Sequence, residues 1–135
     1  MNRSLLLAYQ WITGLSDTST GIMLCLAPDF TVRAMGVHAP ADAAPYIGYI
    51  GAFVLSVGLA CLYGVRVIAR PGMAPRLQMI WLLTAIPRAA VAIYILGAIA
   101  SGALELGWLS VVVFDGTCVV VQAIGLRKRW YVGAH

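Results

Sequence analysis

The chain has 135 residues, of which 61% are apolar and only 10% charged, and its mean hydropathy is +0.90. Nine Lys/Arg and five Asp/Glu cannot supply the charged shell of a soluble domain this size, so the composition excludes a soluble globular protein and makes lipid the main solvent. The formal charge of +4 does not mark a nucleic-acid binder either, because the basic residues stand at the ends of apolar stretches and form no patch with interleaved aromatics.

Arg3 followed by Leu5, Leu6, Leu7 and Ala8 has the start of a secretory signal, but Gln10 and Asp17 interrupt the run and no small-x-small cleavage site follows. Met23 and Leu24 before Cys25 are too large for a lipoprotein signal. The segment therefore reads as a retained membrane helix, the first of four stretches long enough for the roughly 20 residues that a bilayer crossing needs. It runs from about Leu5 to Ala27 and stops at Pro28.

The link from Pro28 to Pro45 is the only long one. Within it Pro28-Asp29 starts a short helix that Gly36 ends, with Phe30, Ala34 and Val37 on one face. Phe30, Val32 and Met35 suit a helix lying flat at the membrane surface. The second spanning stretch runs from Tyr46 to about Ile68, before Pro71. The third covers about Arg76 to Ala100, and the fourth about Leu106 to Leu126, followed by Arg127-Lys128-Arg129. The expected fold is an all-α integral membrane bundle of four helices in a single domain.

Seven basic residues lie on the side of the termini (Arg3; Arg66, Arg70, Arg76; Arg127, Lys128, Arg129) against one, Arg33, on the other, which places both termini in the cytoplasm. Trp130 and Tyr131 fit an interfacial anchor. Cys25, Cys61 and Cys118 fall one to a stretch, without metal or dithiol spacing, and read as buried thiols. His38 and His135, the only histidines, lie in the long link and at the C-terminus, where they cannot hold a haem within the membrane.

Three ionisable residues interrupt the apolar stretches: Asp17, Arg88 and Asp115. An intramembrane charge costs roughly 2.5 to 3.5 kcal/mol at mid-helix, so three unpaired would cost on the order of 8 to 10 kcal/mol. They must face inward and pair, and each lies near the middle of its stretch, as does Ser56 in the second. One cation against two carboxylates leaves a formal charge of −1, which calls for a shared proton or a further donor such as Ser56 or Tyr63. The cluster either ties three helices together or lines a pocket.

Seven residues make nearly two helical turns, about 10 Å of rise. Stepping seven toward the cytoplasm from these four positions gives Gln10, Tyr63, Trp81 and Gln122, all with polar handles. The opposite step gives Leu24, Tyr49, Ile95 and Trp108, a drier set. The bulk of the first four predicts a cavity reached from the cytoplasmic half. Pro87 frees the carbonyl of Leu83 and favours a bend beside Arg88. Gly14, Gly21, Gly48, Gly51, Ala52 and Gly58 permit close helix approach.

The segments "GIMLCLAPDF", "YIGYIGAFVLSVGL", "PRAAVAIY" and "GWLSVVVFDG", which together span nearly the whole chain, resemble the DoxX-like group of small four-helix bacterial membrane proteins. Tyr46 or Tyr49 stands where members of that group often carry an arginine. The resemblance implies the bacterial inner membrane, association with redox complexes or with quinone, and in other members an assembly role. Three functions follow as expectations. The first is an accessory, non-catalytic subunit of a larger membrane complex, working through a protein partner or its own oligomer. The second is a quinone- or lipid-binding protein or enzyme with Tyr63, Trp81, Arg88 and Asp115 in its pocket. The third is an oligomeric proton or cation transporter using Asp17 and Asp115. No resident cofactor or metal is expected, and the bilayer is the first partner.

Overall fold

The fold comes from a computed structural model that describes residues 2–70, 72 and 74–132, with Ala41 known by its backbone alone. Pro71 and His135 lie outside the described residues. Five α-helices follow in order: α1 (Arg3–Leu26), α2 (Pro28–Ala34), α3 (Ala44–Ile68), α4 (Ala74–Ala100) and α5 (Leu109–Arg127). Single 3-10 turns, Ala41–Ala43 and Leu106–Trp108, lead into α3 and α5. The described residues contain no strand.

Local chemistry sets the helix ends. The Asn2 side chain accepts from the Ser4 amide at 2.6 Å and caps α1. Pro28 cannot continue that helix and instead opens α2 at its first position. Gly36 and Gly102 stop α2 and α4 in left-handed conformations, φ +75° and +76°, each with the paired amide-to-carbonyl bonds of a Schellman turn. Arg129 takes the same place after α5, at φ 53°, with Trp130 N donating to Gly125 O at 3.0 Å and Arg129 N to Leu126 O at 3.3 Å. A side chain in that conformation is tolerated only where the surroundings hold it. Here the turn folds the chain back, so that Tyr131 is buried with Leu6, Val67, Ile68, Leu77 and Trp81 while Trp130 packs against them. The pair closes one end of the bundle.

Two antiparallel pairs make up the bundle. The α1–α3 pair is the more intimate, because glycines on each helix admit the other. A Cβ at Gly21 would lie 2.5 Å from Leu55 N, one at Gly51 2.7 Å from Leu24 Cβ, and one at Gly58 2.5 Å from Thr18 N. Gly48 has open space instead and Ala52 is exposed, so the Gly48-x-x-x-Ala52 spacing does not mediate this packing. The second pair is α4–α5. The two pairs meet where Val67 and Ile68 of α3 pack on Leu77 and Trp81 of α4, at the end where α1 starts and α5 finishes.

At the opposite end α2 and the 101–108 link form a roof. Val32 and Val37 are buried with Leu24 and Ile47, against Met35, Val54 and Trp108. The His38 amide donates to Glu105 Oε2 at 3.0 Å, and a Cβ on Gly107 would sit 2.7 Å from Gly36 O. The shared face expected of Phe30, Ala34 and Val37 is not formed: Phe30 is 62% exposed and Ala34 exposed, whereas Thr31 and Val32 turn inward. Val37 reaches the core only because the Gly36 turn reverses the chain.

Three helical stretches are long and apolar enough to cross a membrane: Ala44–Ile68, Ala74–Ala100 and Leu106–Arg127. α1 is of similar length and carries more polar residues, of which Gln10, Thr13 and Asp17 are buried in the bundle while Trp11, Ile12, Leu15 and Ile22 face outward. Cys61 and Cys118 are buried. Cys25 is exposed, contrary to the expectation of three buried thiols, since it follows Leu24 round the helix to the outer side.

Candidate functional site

Arg88, only 3% exposed, joins three helices. Its Nη2 donates to Asp17 Oδ2 of α1, and its Nη1 donates to Asp115 Oδ1 of α5 at 2.5 Å. The Phe114 ring lies 5.5 Å from Cζ, within cation–π range. The three charges that lipid would penalise thus find one another, as their shared depth implies. The guanidinium Nε has no hydrogen-bond partner among the described residues.

α3 contributes to this layer with Gly58, whose hydrogens face Asp17 Cβ and Thr18. Ser56 does not join, because two residues turn a helix by about 200°. It is exposed, and its Oγ donates to Phe53 O at 2.7 Å. Tyr63, 48% exposed, is turned out by the same register. Both departures have one cause: the inward face of α3 is set by Gly51, Gly58, Cys61 and Gly64, where α1 comes closest.

The remaining members of the second layer do go inside. Gln10, Trp81 and Gln122 are completely buried. Gln122 Nε2 donates to Thr84 Oγ1 at 2.8 Å, and Trp81 stands edge-on to Tyr9 with centroids 5.7 Å apart. The Gln10 amide, Trp81 Nε1 and Gln122 Oε1 have no partner among the described residues. None of these side chains lines the cavity beside the charge cluster or the one between α1 and α5. Gly64 leaves room for the Gln10 amide and Gly125 for the Trp81 ring, so their bulk is packed away.

The cavity lies on the other side of the charges, toward the roof. Its volume is about 710 Å3, and all four long helices wall it. Asp17, Arg88 and Asp115 form its polar floor with the hydroxyls of Ser16 and Thr20. Phe53, Val54, Val91, Tyr94, Ile95 and Phe114 supply apolar walls, and Met35, Leu104 and Trp108 hang from the roof. A second cavity of about 640 Å3 lies between α1 and α5, lined by Ile12, Thr13, Val113 and Val121, and it shares Ser110 and Phe114 with the first. Tyr9 bridges that gap with a long hydrogen bond to Cys118 O, 3.4 Å.

Sequence reasoning missed the aromatic walls, Phe53, Tyr94 and Phe114, yet a signal for the rest was present. Steps of three, four and seven from the charged residues toward the roof lead through Thr20 to Leu24, through Val91 to Ile95, and through Val111 to Trp108, all of which line the cavity. This is the drier set of positions, apart from the exposed Tyr49. An apolar chamber with a charged floor can hold a lipophilic body and fix a polar head at one depth. The chain matches no family model, and no curated protein and no solved structure is similar to it.

Proposed function

We propose that the chain crosses a membrane four times, with both termini on the cytoplasmic side, and binds a lipophilic small molecule in the chamber beneath the roof. The carrying observation is the 710 Å3 cavity itself: apolar walls within the apolar span, converging on one charged floor. The inward-turned polar face of α1 supports its crossing as the fourth span, since the residues that lipid would reject are covered by the other helices. The seven-to-one distribution of basic residues supports the orientation.

The quinone that the DoxX-like resemblance suggests, or a lipid, would place its head on the floor and its chain toward the gap between α1 and α5. The accessory-subunit reading, drawn from the same resemblance, would make the chamber a seat for a molecule shared with a partner protein. The chamber favours binding as this chain's own contribution. Extraction in mild detergent with mass spectrometry of co-purifying small molecules tests it. A stoichiometric lipophilic molecule is expected with the wild type and lost with Val91→Trp, which fills the chamber. Equal recovery from both, or none from the wild type, would overturn the proposal.

A further inference from the structure

The floor has an unbalanced charge. Among the residues lining the chamber, the only carboxylates are Asp17 and Asp115 and the only guanidinium is Arg88, so the formal sum is −1. The donors of Arg88 that face these carboxylates are committed, Nη2 to Asp17 Oδ2 and Nη1 to Asp115 Oδ1. Each carboxylate keeps its second oxygen, Asp17 Oδ1 and Asp115 Oδ2, without a hydrogen bond among the described residues. The floor therefore offers acceptors and negative charge to whatever enters. Phe53, Tyr94 and Trp108 line the same cavity, and aromatic rings attract cations.

An anionic head would meet uncompensated carboxylate charge. A quinone, which only accepts hydrogen bonds, would leave that charge uncompensated. A group that donates N–H bonds and carries one positive charge satisfies both deficits at once. We infer that the occupant is a lipophilic amine in its protonated form, with its ammonium on the free oxygens of Asp17 and Asp115 and its apolar body among Phe53, Tyr94 and Trp108. The inference rests on the chamber being a ligand site and specifies the chemical class that it takes.

The full chain in lipid nanodiscs, titrated calorimetrically against empty nanodiscs, gives the test. The probes are 4-phenylbutylamine, its neutral counterpart 4-phenylbutanol, and ubiquinone-1. The amine should bind at least about tenfold more tightly than the alcohol, and Asp115→Asn should weaken the amine about tenfold without weakening the alcohol. Asp17→Asn gives the same reading independently if the first variant folds poorly, and the amine-to-alcohol ratio needs no variant at all. Equal affinity for amine and alcohol, tighter binding of ubiquinone-1, or an amine affinity unmoved by both substitutions would overturn the amine while leaving the chamber a ligand site. If no probe binds the wild type more tightly than Val91→Trp, the chamber is not a ligand site and both readings fall.

Discussion

Arg88 holds a position that no neutral residue can fill without consequence, because among the described residues it is the only countercharge to two carboxylates at the same depth. Its replacement by alanine leaves two like charges facing each other in a nearly closed interior. A loss of about 3 to 5 kcal/mol is expected for breaking a buried pair from one side. The neutral triple variant Asp17→Asn/Arg88→Gln/Asp115→Asn should lose less than Arg88→Ala alone, since it strands no charge. Thermal unfolding in detergent measures both, and an Arg88→Ala protein as stable as the wild type would refute the paired core. These three residues were legible in the sequence because the penalty for charge in hydrocarbon leaves them one arrangement. Ser56 and Tyr63 were misplaced because their polarity is mild enough for either face. Position in the helix, set by neighbouring glycines, decided for them.

At the scale of elements, the glycines of α3 fall into two kinds that sequence alone does not distinguish. Gly58 touches the α1 backbone, so Gly58→Leu must push the two helices apart and carry Asp17 away from Arg88. Overpacking of this kind costs about 1 to 3 kcal/mol or more. Gly48 faces open space, and Gly48→Ala should be neutral or stabilise the helix by up to about 1 kcal/mol. Unfolding midpoints of the two variants should move in opposite directions or differ by several degrees. Equal destabilisation would mean that close approach is not what glycine provides at position 58. The helix boundaries, by contrast, were readable to within a few residues from Pro28 and Gly36, because those residues act through their own backbones and need no partner.

For the whole molecule, the location of the cavity was the part least visible in advance. Polar side chains pointed to one half of the bundle, yet the cavity floored by the charges lies in the other. Gln10, Trp81 and Gln122 draw the helices together where glycines accept them, and the pairs are joined there by Val67, Ile68 and Leu77. The 710 Å3 cavity is left toward the roof, and the second runs between α1 and α5 as far as Tyr9 and Val121. Topology belongs to this scale as well. In a Cys25→Ser background, Asp42→Cys in the exposed roof loop should react with an impermeant thiol reagent applied to intact cells, and a cysteine added after His135 should not. Reaction of the C-terminal cysteine alone would invert the proposed orientation.

The ion cluster also sets a schedule for synthesis of the chain. If α1 spans as proposed, Asp17 enters the membrane early, whereas its countercharge Arg88 is translated 71 residues later, and Asp115 arrives only after both. A nascent chain that ends after α3 holds a carboxylate with no ionic partner, beside Gly58 of α3. Such a fragment is expected to slip from the bilayer or to be degraded, and Asp17→Leu should prolong its lifetime in a pulse-chase measurement. A truncated chain as long-lived as its Asp17→Leu variant would show that the early helices do not depend on later ones. Otherwise the salt bridge acts as a checkpoint on biogenesis, passed only by chains that have been translated through α4.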